Sequence, residues 1–282
     1  RLSLVGSEMC IRDREELNGK LGVVRPTFEE YPNRWEKDVI AYDCTENDFS
    51  YTASQLIQYF TENPVDTLVL INPDNPTGHC MNADEIKRLL QWSRQCDINL
   101  IIDESFLDFA DTEDLSLLSE QVLRENRNLY VVKSISKSYG VPGLRLGILA
   151  SGNTDMIGRL KKDVSIWNIN SMAEFFMQIL DKYKSDYTDS LRKIKEERSR
   201  FLIELCAIKN LKVYPSQANY FMCEILDGIS SEELAGRLLK ENILIKDLTG
   251  KIHNGKQYIR IAIRGEEENR ILVEKLKVCM KQ

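Results

Sequence analysis

Apolar runs of strand length alternate with amphipathic segments through the middle of the chain. Four of these runs are rich in Val, Ile and Leu: TLVLINP (67–73), INLIIDESF (98–106), NLYVVKSIS (128–136) and LRLGILAS (144–151). Nearly continuous apolar runs are typical of strands in a sheet that is covered on both faces. The pattern therefore predicts a sheet whose strands are mostly parallel.

Helices are predicted between these runs. Over residues 82–96, Ile86, Leu89 and Leu90 recur at helical spacing, and Asn82 or Asp84 supplies a cap. A further helix is predicted over residues 115–125. The resulting β-α-β-α-β order indicates an α/β fold with right-handed crossovers, in which ligands gather beyond the carboxyl ends of the strands.

The C-terminal half has a different pattern. Residues 171–209 predict a long connecting helix, for which a coiled coil is the alternative interpretation. Strands within 211–225, a capped helix over 230–242, strands over 243–248 and 258–264, and a closing helix from Glu266 then predict a small α/β domain. The predicted division is a large domain over 15–170, the connecting helix over 171–209 and the small domain over 210–282.

The first fourteen residues, RLSLVGSEMCIRDR, show no amphipathic period. They resemble translated adaptor read-through, so residues 1–14 are interpreted as a non-native leader and left out of the predicted fold. A native arm is the alternative.

The composition of the chain argues against several classes of protein. The net charge of −6 and the pI near 5.3 argue against a nucleic-acid partner, which requires a basic face. No apolar run approaches the roughly 18 residues that a membrane span needs. The seven cysteines never form a CxxC pair and only two histidines occur, which argues against a disulfide framework and a metal centre. We expect a cytoplasmic protein that acts on small molecules.

Polar residues follow three of the predicted strands. The strands run into NPDNPTG, DESF and SISKS, which bring Asn75, Asp103, Ser134, Ser136 and Lys137 to one edge. Each segment alone could be an ordinary turn or cap. Together with an arginine they match the needs of pyridoxal 5'-phosphate: an amine for the aldehyde, a carboxylate for the pyridinium nitrogen, and hydroxyl and guanidinium donors for the phosphate.

The ordered set NPxNPTG (72–78), DExF (103–106) and SxSKxxGxxGxRxG (134–147) resembles the class I/II pyridoxal-phosphate-dependent aminotransferases of fold type I, nearest to histidinol-phosphate aminotransferase and threonine-phosphate decarboxylase. The resemblance implies the aspartate-aminotransferase-like fold and pyridoxal 5'-phosphate as cofactor. It implies these roles: Lys137 as Schiff-base lysine, Asp103 as partner of the pyridine nitrogen, Asn75 as donor to the ring 3'-oxygen, Ser134 and Arg145 as phosphate ligands, and Ser136 as an assisting hydroxyl.

Further roles follow from the same resemblance. Phe28 would stack on the cofactor ring, although a core phenylalanine is the alternative. Arg260 would bind the substrate α-carboxylate, with Arg264 as the fallback on the same face of the strand. Lys246 would reach a substrate phosphate or acidic group, unless it is an ordinary edge-strand lysine. Asn219 also matches the family, although a turn at the entry to a strand explains it nearly as well.

The chain departs from the family in two places. Histidinol-phosphate aminotransferases typically have a tyrosine where this chain has Phe106, which favours the decarboxylase side of the resemblance. Relatives also carry an N-terminal segment with a phosphate loop, so the large domain is expected to be N-terminally truncated.

The resemblance favours an aminotransferase, with an amino donor and a keto-acid acceptor, that is a homodimer in its full-length parent. The alternatives are a threonine-phosphate-type decarboxylase, the aminotransferase half of a nucleotidyltransferase fusion, and a non-catalytic binding module.

Overall fold

The computed structural model describes residues 2–6, 17, 19–163 and 168–280. Seven strands form the larger sheet in the order β1-β7-β6-β5-β4-β2-β3. They are β1 (Leu2–Gly6), β2 (Leu21–Arg25), β3 (Val39–Asp43), β4 (Thr67–Ile71), β5 (Asn99–Asp103), β6 (Leu129–Ser134) and β7 (Leu146–Ser151). Neighbours from β3 to β6 pair in parallel, whereas β7 is antiparallel to both β6 and β1. The predicted, mostly parallel sheet is therefore confirmed.

The N-terminal residues contribute more than the sequence indicated. The backbone of Leu2–Gly6, which the prediction left out of the fold, pairs as an edge strand along β7. Residues 7–16, which include the rest of the predicted leader, lie outside the described residues. Strands β2 and β3 were not predicted.

Helices cover both faces of this sheet. They are α1 (Glu30–Asn33), α2 (Ala53–Glu62), α3 (Ala83–Gln95), α4 (Glu120–Glu125), α5 (Ile135–Ser138) and α6 (Thr154–Asp163). Leu68 and Leu70 of β4 join the buried cluster that contains residues of α2 and α3, while Val69 and Ile71 join the cluster that contains residues of α6. This alternation is what a strand buried on both faces requires.

The helix predicted over residues 115–125 is only half correct. The buried Glu104 carboxylate accepts hydrogen bonds from the Leu117 backbone (2.6 Å) and the Ser116 hydroxyl (2.7 Å), which holds this segment out of a helix. Helix α4 begins after Ser119, whose hydroxyl accepts from the Val122 N–H. Asn82 caps α3 as predicted, through a capping box with Glu85.

The C-terminal part is built on an antiparallel sheet in the order β10-β11-β9-β8. The predicted connecting helix is two helices, α7 (Ser171–Ile179) and α8 (Lys184–Cys206), separated by a 3₁₀ turn at Leu180–Tyr183. The sheet and its helices follow as β8 (Leu211–Val213), β9 (Tyr220–Ile225), α9 (Ser231–Lys240), β10 (Lys246–Asp247), β11 (Gln257–Ala262) and α10 (Glu266–Cys279). Helices α9 and α10 and the C-terminal end of α8 pack on this sheet in a separate apolar core.

Arg198 on α8 joins the two parts of the molecule. Its buried guanidinium donates to the carbonyls of Phe109 (2.6 Å) and Ala218 (3.2 Å) and pairs with the Asp111 carboxylate at 2.5 Å. Helix α8 is thereby fixed to the loop after β5 and to the entry of β9.

Replacing Arg198 with leucine is expected to lower the free energy of unfolding by about 2–4 kcal/mol, because buried carbonyls are left without donors. Urea unfolding measures the loss. Arg192→Leu on the same helix is the matched control, since the exposed Arg192 pairs only with Asp189 and Glu196 among the contacts described. Equal unfolding midpoints for the two variants would contradict this account.

Candidate active site

The ends of three parallel strands lie side by side. Asp103, the last residue of β5, is in register with Ile71 at the end of β4 and with Val132 of β6. The Asn72 N–H donates to the Asp103 carbonyl (2.9 Å), and the Glu104 N–H donates to the Val132 carbonyl (2.7 Å). The three polar loops therefore leave the sheet at one edge, as the sequence predicted.

Asp103 is a buried carboxyl with two donors. Its Oδ1 accepts from the Ser105 N–H at 2.9 Å, and its Oδ2 accepts from the Tyr31 hydroxyl at 2.8 Å. Burial raises the pKa of Asp103 above its usual 3.8, while the hydrogen bonds from Ser105 and Tyr31 and the charge of Lys137 oppose the rise. These contacts therefore keep the pKa of Asp103 from rising as far as burial alone would raise it.

Lys137 lies on the single-turn helix α5, directly after β6. It is exposed, and its Nζ lies 5.9 Å from the centroid of the Phe106 ring. The first half of the helix is held by two hydrogen bonds: the Ser134 N–H donates to Ser105 Oγ (2.9 Å), and the buried Ser136 hydroxyl donates to the Leu146 carbonyl (3.4 Å). The amine thus projects from a fixed turn towards the Asp103 edge.

Aromatic stacking also holds the C-terminal end of α5. Tyr139 stacks on Tyr187 of α8 with centroids 3.9 Å apart and planes inclined by 3°. The Tyr187 hydroxyl donates to Asp108 Oδ2 at 2.8 Å, and Lys133 Nζ donates to Asp108 Oδ1 at 2.5 Å. Helix α8 is therefore tied to the segment that carries Lys137.

Asn75 and Arg260 meet across the junction between the two sheets. Arg260 Nη1 donates to Asn75 Oδ1 at 2.5 Å, and the guanidinium lies over the Tyr220 ring at 4.9 Å. Tyr220 in turn packs edge-on against Phe106, with centroids 5.1 Å apart. These contacts lead from Arg260 to the ring beside Lys137, so the predicted carboxylate arginine lies at the same site.

Arg145 and Phe28, which were predicted to bind the phosphate and to stack on the ring, are both exposed. Arg145 is exposed, its Nη1 donates to the Pro142 carbonyl at 3.4 Å, and its backbone is left-handed with φ 56°. Strained non-glycine residues of this kind cluster at functional sites. Phe28 is 40% exposed and meets Tyr31 edge-on at 6.3 Å. It is not a core phenylalanine, so the alternative interpretation of Phe28 is wrong.

Three further candidates lie on or beside the small sheet. Lys246 is exposed and sits opposite Arg260 in the β10–β11 register. The Asn219 carbonyl accepts from the Ile263 N–H at 2.9 Å. Arg264 is not on the strand as predicted, because β11 ends at Ala262, and its guanidinium pairs with Glu268 at 2.8 Å. The predicted placement of Arg264 on the same strand as Arg260 is therefore wrong.

Two residues beside the site were not predicted from the sequence: Tyr31 and Asp74. Tyr31 follows Phe28 by one helical turn, a spacing that could have suggested it. Burial raises the pKa of Asp74 to about 7, and the Thr77 hydroxyl donates to its Oδ2 at 2.7 Å. The Asp74 carbonyl accepts from the Tyr220 hydroxyl at 2.6 Å. The NPDNPTG loop is therefore fixed to β9.

The donor set fits pyridoxal 5'-phosphate. Asn75 Oδ1 accepts the hydrogen bond from Arg260, so the N–H groups of the Asn75 side-chain amide remain available as donors to another group. A buried carboxyl, an exposed amine, hydroxyls and a guanidinium complete the groups that this cofactor needs. Within the described residues, no group of three or more His, Cys, Asp or Glu side chains could hold a metal ion. None of the described helices has the length and apolar character to cross a bilayer.

A mainly parallel sheet that presents a lysine, a buried carboxyl and an amide at one edge, next to a small α/β domain, defines a pyridoxal-phosphate enzyme of fold type I. The chain belongs to the family "Aminotransferase class I and II", whose sequence model matches residues 22–276. Enzymes of this family use pyridoxal 5'-phosphate, act on small molecules and are commonly dimeric. The predicted family, fold class and cofactor are confirmed.

The curated relatives include a synthase, decarboxylases and an aminotransferase. The chain is 33% identical over 271 residues to a CMP-5'-(3-aminopropyl)phosphonate synthase of Streptomyces rubellomurinus, covering 95% of this chain and 43% of that protein. It is 32% identical over 265 residues to an L-serine phosphate decarboxylase of Campylobacter jejuni, covering 91% of this chain and 67% of that protein. Threonine-phosphate decarboxylase and histidinol-phosphate aminotransferase are also among the relatives.

Solved structures also include a decarboxylase and an aminotransferase. A decarboxylase from Sulfurospirillum multivorans matches with a TM-score of 0.88 and 31% identity, over 99% of this chain and 82% of that one. The histidinol-phosphate aminotransferase of Clostridium acetobutylicum matches with a TM-score of 0.88 and 28% identity, over 98% of this chain and 83% of that one.

Replacing Tyr31 with phenylalanine removes one donor to Asp103. A hydrogen bond to a charged group contributes about 1.5–3 kcal/mol, so its loss should raise the pKa of Asp103 further. The acid limb of the kcat/KM profile is then expected to move to higher pH. Tyr183→Phe, at an exposed tyrosine, is the control. An unmoved acid limb in Tyr31→Phe would contradict the positioning of Asp103 by Tyr31.

Proposed function

We propose that the chain carries the catalytic centre of a pyridoxal-phosphate-dependent aminotransferase that acts on an amino acid or amine bearing a phosphorus group. The observation that carries the proposal is the 2.5 Å hydrogen bond from Arg260 to Asn75, which joins the carboxylate-binding arginine to the edge where Lys137 and Asp103 lie.

The side chains have distinct tasks in this proposal. When bound, the cofactor supplies an electrophilic carbon for the substrate amine and an electron sink for the bond broken at Cα. The Lys137 amine would hold the cofactor through its aldehyde and, once free, would move a proton at the substrate Cα. The Asp103 carboxylate keeps the proton on the pyridinium nitrogen, and Ser134, Ser136 and Arg145 hold the phosphate. Phe28 supplies the stacking surface, and Asn219 borders the substrate.

The position of Arg260 favours transamination. A bidentate arginine would fix the orientation of the substrate carboxylate and so select which bond at Cα breaks. Arg260 is hydrogen-bonded to Asn75. A carboxylate held by Arg260 would be anchored, which favours loss of the Cα proton to Lys137.

Decarboxylation is the second candidate. Phe106 replaces the tyrosine typical of histidinol-phosphate aminotransferases, and the similar proteins include L-serine phosphate and threonine-phosphate decarboxylases. If Lys246 and its neighbours instead determined how the substrate lies, the carboxylate would be left unanchored and could be lost as carbon dioxide.

The full-length parent is a further part of the proposal. The chain spans 43% of the phosphonate synthase that it resembles and 67% of the serine phosphate decarboxylase. We propose that the parent is a cytoplasmic homodimer. A fusion to a nucleotidyltransferase is the alternative, and the name of the CMP-5'-(3-aminopropyl)phosphonate synthase and its greater length support it. A non-catalytic module is disfavoured by the presence of both Lys137 and Asp103.

Product analysis of the full-length parent loaded with cofactor tests the proposal. O-phospho-L-serine, O-phospho-L-threonine and histidinol phosphate are each incubated with and without 2-oxoglutarate. Formation of glutamate that requires 2-oxoglutarate supports the aminotransferase. Carbon dioxide release without glutamate supports the decarboxylase. Neither product from any amine, with cofactor bound at Lys137, would contradict both candidates.

A further inference from the structure

Tyr220 and Arg260 lie on the same face of the small sheet. Tyr220 of β9 is opposite Ala262 of β11, two residues beyond Arg260, so the side chains of Tyr220 and Arg260 are diagonal neighbours. Phe221, the next residue along β9, lies instead in the apolar core that contains residues of α9 and α10. The Arg260 guanidinium lies over the Tyr220 ring, with Cζ 4.9 Å from its centroid. The register of the strands therefore brings an aromatic face against the guanidinium.

The same two side chains are joined a second time through the NPDNPTG loop. The Tyr220 hydroxyl donates to the Asp74 carbonyl at 2.6 Å, and Arg260 Nη1 donates to Oδ1 of the next residue, Asn75, at 2.5 Å. The Asp74 carbonyl also accepts from the Gly78 N–H at 2.8 Å, which closes the loop on itself. The guanidinium is therefore held at one nitrogen and over one ring, and both of these groups are fixed to one loop.

The Tyr220 ring has little freedom to move. It is 4% exposed and packs edge-on against Phe106 with centroids 5.1 Å apart. Phe106 and Tyr220 form one buried apolar cluster with Phe109 and Ala218. Because a close-packed ring keeps its position, it offers the guanidinium a fixed surface.

Arg260 keeps donors for a ligand. Asn75 accepts from one of the five N–H groups of its side chain. Within the part of the chain that the structure describes, this side chain makes no other hydrogen bond and no ion pair. An arginine whose rotation is already restricted loses less conformational entropy when it binds a carboxylate, so the ring that restricts it should increase the affinity.

We propose that Tyr220 is a positioning residue that holds the Arg260 guanidinium in place for the substrate carboxylate, and thereby makes the site prefer ligands that carry an α-carboxylate over those that lack one. This inference rests on the proposed function, in which Arg260 binds that carboxylate. Tyr220 acts through Arg260 alone.

Two probes that differ only in the carboxylate test the inference: 3-phospho-L-glycerate and 2-hydroxyethyl phosphate. Both have a hydroxyl in place of the substrate amine, so calorimetry on the full-length parent loaded with cofactor measures their Kd without turnover. Tyr220→Leu is expected to weaken the Kd for 3-phospho-L-glycerate by about 5–50-fold, because the cation–π contact is lost and the arginine must be immobilised on binding. The Kd for 2-hydroxyethyl phosphate should stay within about twofold, which a misfolded site would not show.

Two further variants of Tyr220 separate the ring from the hydroxyl. Tyr220→Phe keeps the ring and removes only the hydrogen bond to Asp74, so it should retain most of the affinity for 3-phospho-L-glycerate. Tyr220→Met fills more of the space than leucine but has no ring, and it should lose as much affinity as Tyr220→Leu.

Tyr214→Leu is the matched control. Tyr214 is also 4% exposed, its hydroxyl donates to Glu224 at 2.6 Å, and Lys212 Nζ lies 4.8 Å from its ring centroid. The control therefore removes a buried tyrosine with a hydroxyl partner and a cation–π contact, but away from Arg260. It should leave the Kd of both probes unchanged.

A double variant tests whether Tyr220 acts through Arg260. Arg260→Leu alone should weaken the Kd for 3-phospho-L-glycerate, and adding Tyr220→Leu should weaken it no further. Full additivity of the two losses is the result for residues that act independently, and it would overturn the inference.

The inference is also wrong if the unmodified parent binds the two probes equally well, if Tyr220→Leu weakens both probes equally or neither, or if Tyr220→Phe loses as much as Tyr220→Leu. Failure of the proposed function would look different. It would show as normal binding of 3-phospho-L-glycerate by Arg260→Leu, or as absence of cofactor at Lys137 in the unmodified parent.

Discussion

Replacing Lys137 with alanine is expected to lower turnover by about 10⁴-fold or more, because in the proposed function the same amine would hold the cofactor and move the proton at Cα. The structure supports this expectation through the placement of the amine: it projects from a turn that is fixed by Ser105, Leu146 and the Tyr139–Tyr187 stack. Single-turnover kinetics with saturating cofactor measure the loss.

The variant Lys137→Arg tests whether the positive charge of Lys137 is sufficient for activity or whether its amine is required. Arginine keeps the positive charge near Asp103, but its guanidinium stays protonated and does not form the bond to an aldehyde. It should therefore be as inactive as Lys137→Ala, whereas Lys161→Ala at an exposed position of α6 should match the unmodified enzyme. Turnover within tenfold of normal in either Lys137 variant is incompatible with the proposed role.

Replacing Asp103 with asparagine is expected to lower kcat by about 10²–10³-fold, as loss of a preorganised electrostatic partner does. The effect on folding should have the opposite sign. Because the pKa of Asp103 is raised in the folded chain, the folded state holds the proton more tightly than the unfolded state, and stability from this group falls as pH rises above 3.8. Asparagine removes that dependence, so the cofactor-free variant should be at least as stable as the parent at pH 8.

Asp108 provides the matched comparison. Its pKa is lowered despite burial, because Lys133 and Tyr187 stabilise the carboxylate. Its contribution to stability is present above the usual pKa and is lost as pH falls through the lowered one, so Asp108→Asn should destabilise the fold at pH 8. Asp103→Asn with a lower unfolding midpoint than Asp108→Asn, or with nearly full activity, would refute this assignment.

The sequence was sufficient where a local pattern determines the structure. The strand that ends at Asp103 and the strand that precedes Lys137 were predicted within a few residues, because both faces of a central parallel strand are apolar. Asn82 was recognisable as a cap because its partner Glu85 is three residues away. The edge that brings Asn75, Asp103 and Lys137 together followed from the topology alone.

Errors arose where a distant group acts on the chain. The Glu104 carboxylate keeps residues 116 and 117 out of the helix that their own sequence favours. Arg264 was placed on a strand that ends two residues earlier. The Tyr31 hydroxyl donates a hydrogen bond to Asp103, 72 positions away in the sequence, and Lys251 Nζ donates to the Thr27 carbonyl, 224 positions away. No periodicity in a single sequence encodes such contacts.

Reductive trapping of the cofactor in the full-length parent tests the central claim most directly. The protein is loaded with pyridoxal 5'-phosphate, treated with borohydride, digested and analysed by peptide mass spectrometry. We expect one pyridoxyl-labelled peptide with the label on Lys137, and loss of that label in Lys137→Ala. A parent that carries no label, or carries it at another lysine, would contradict the account.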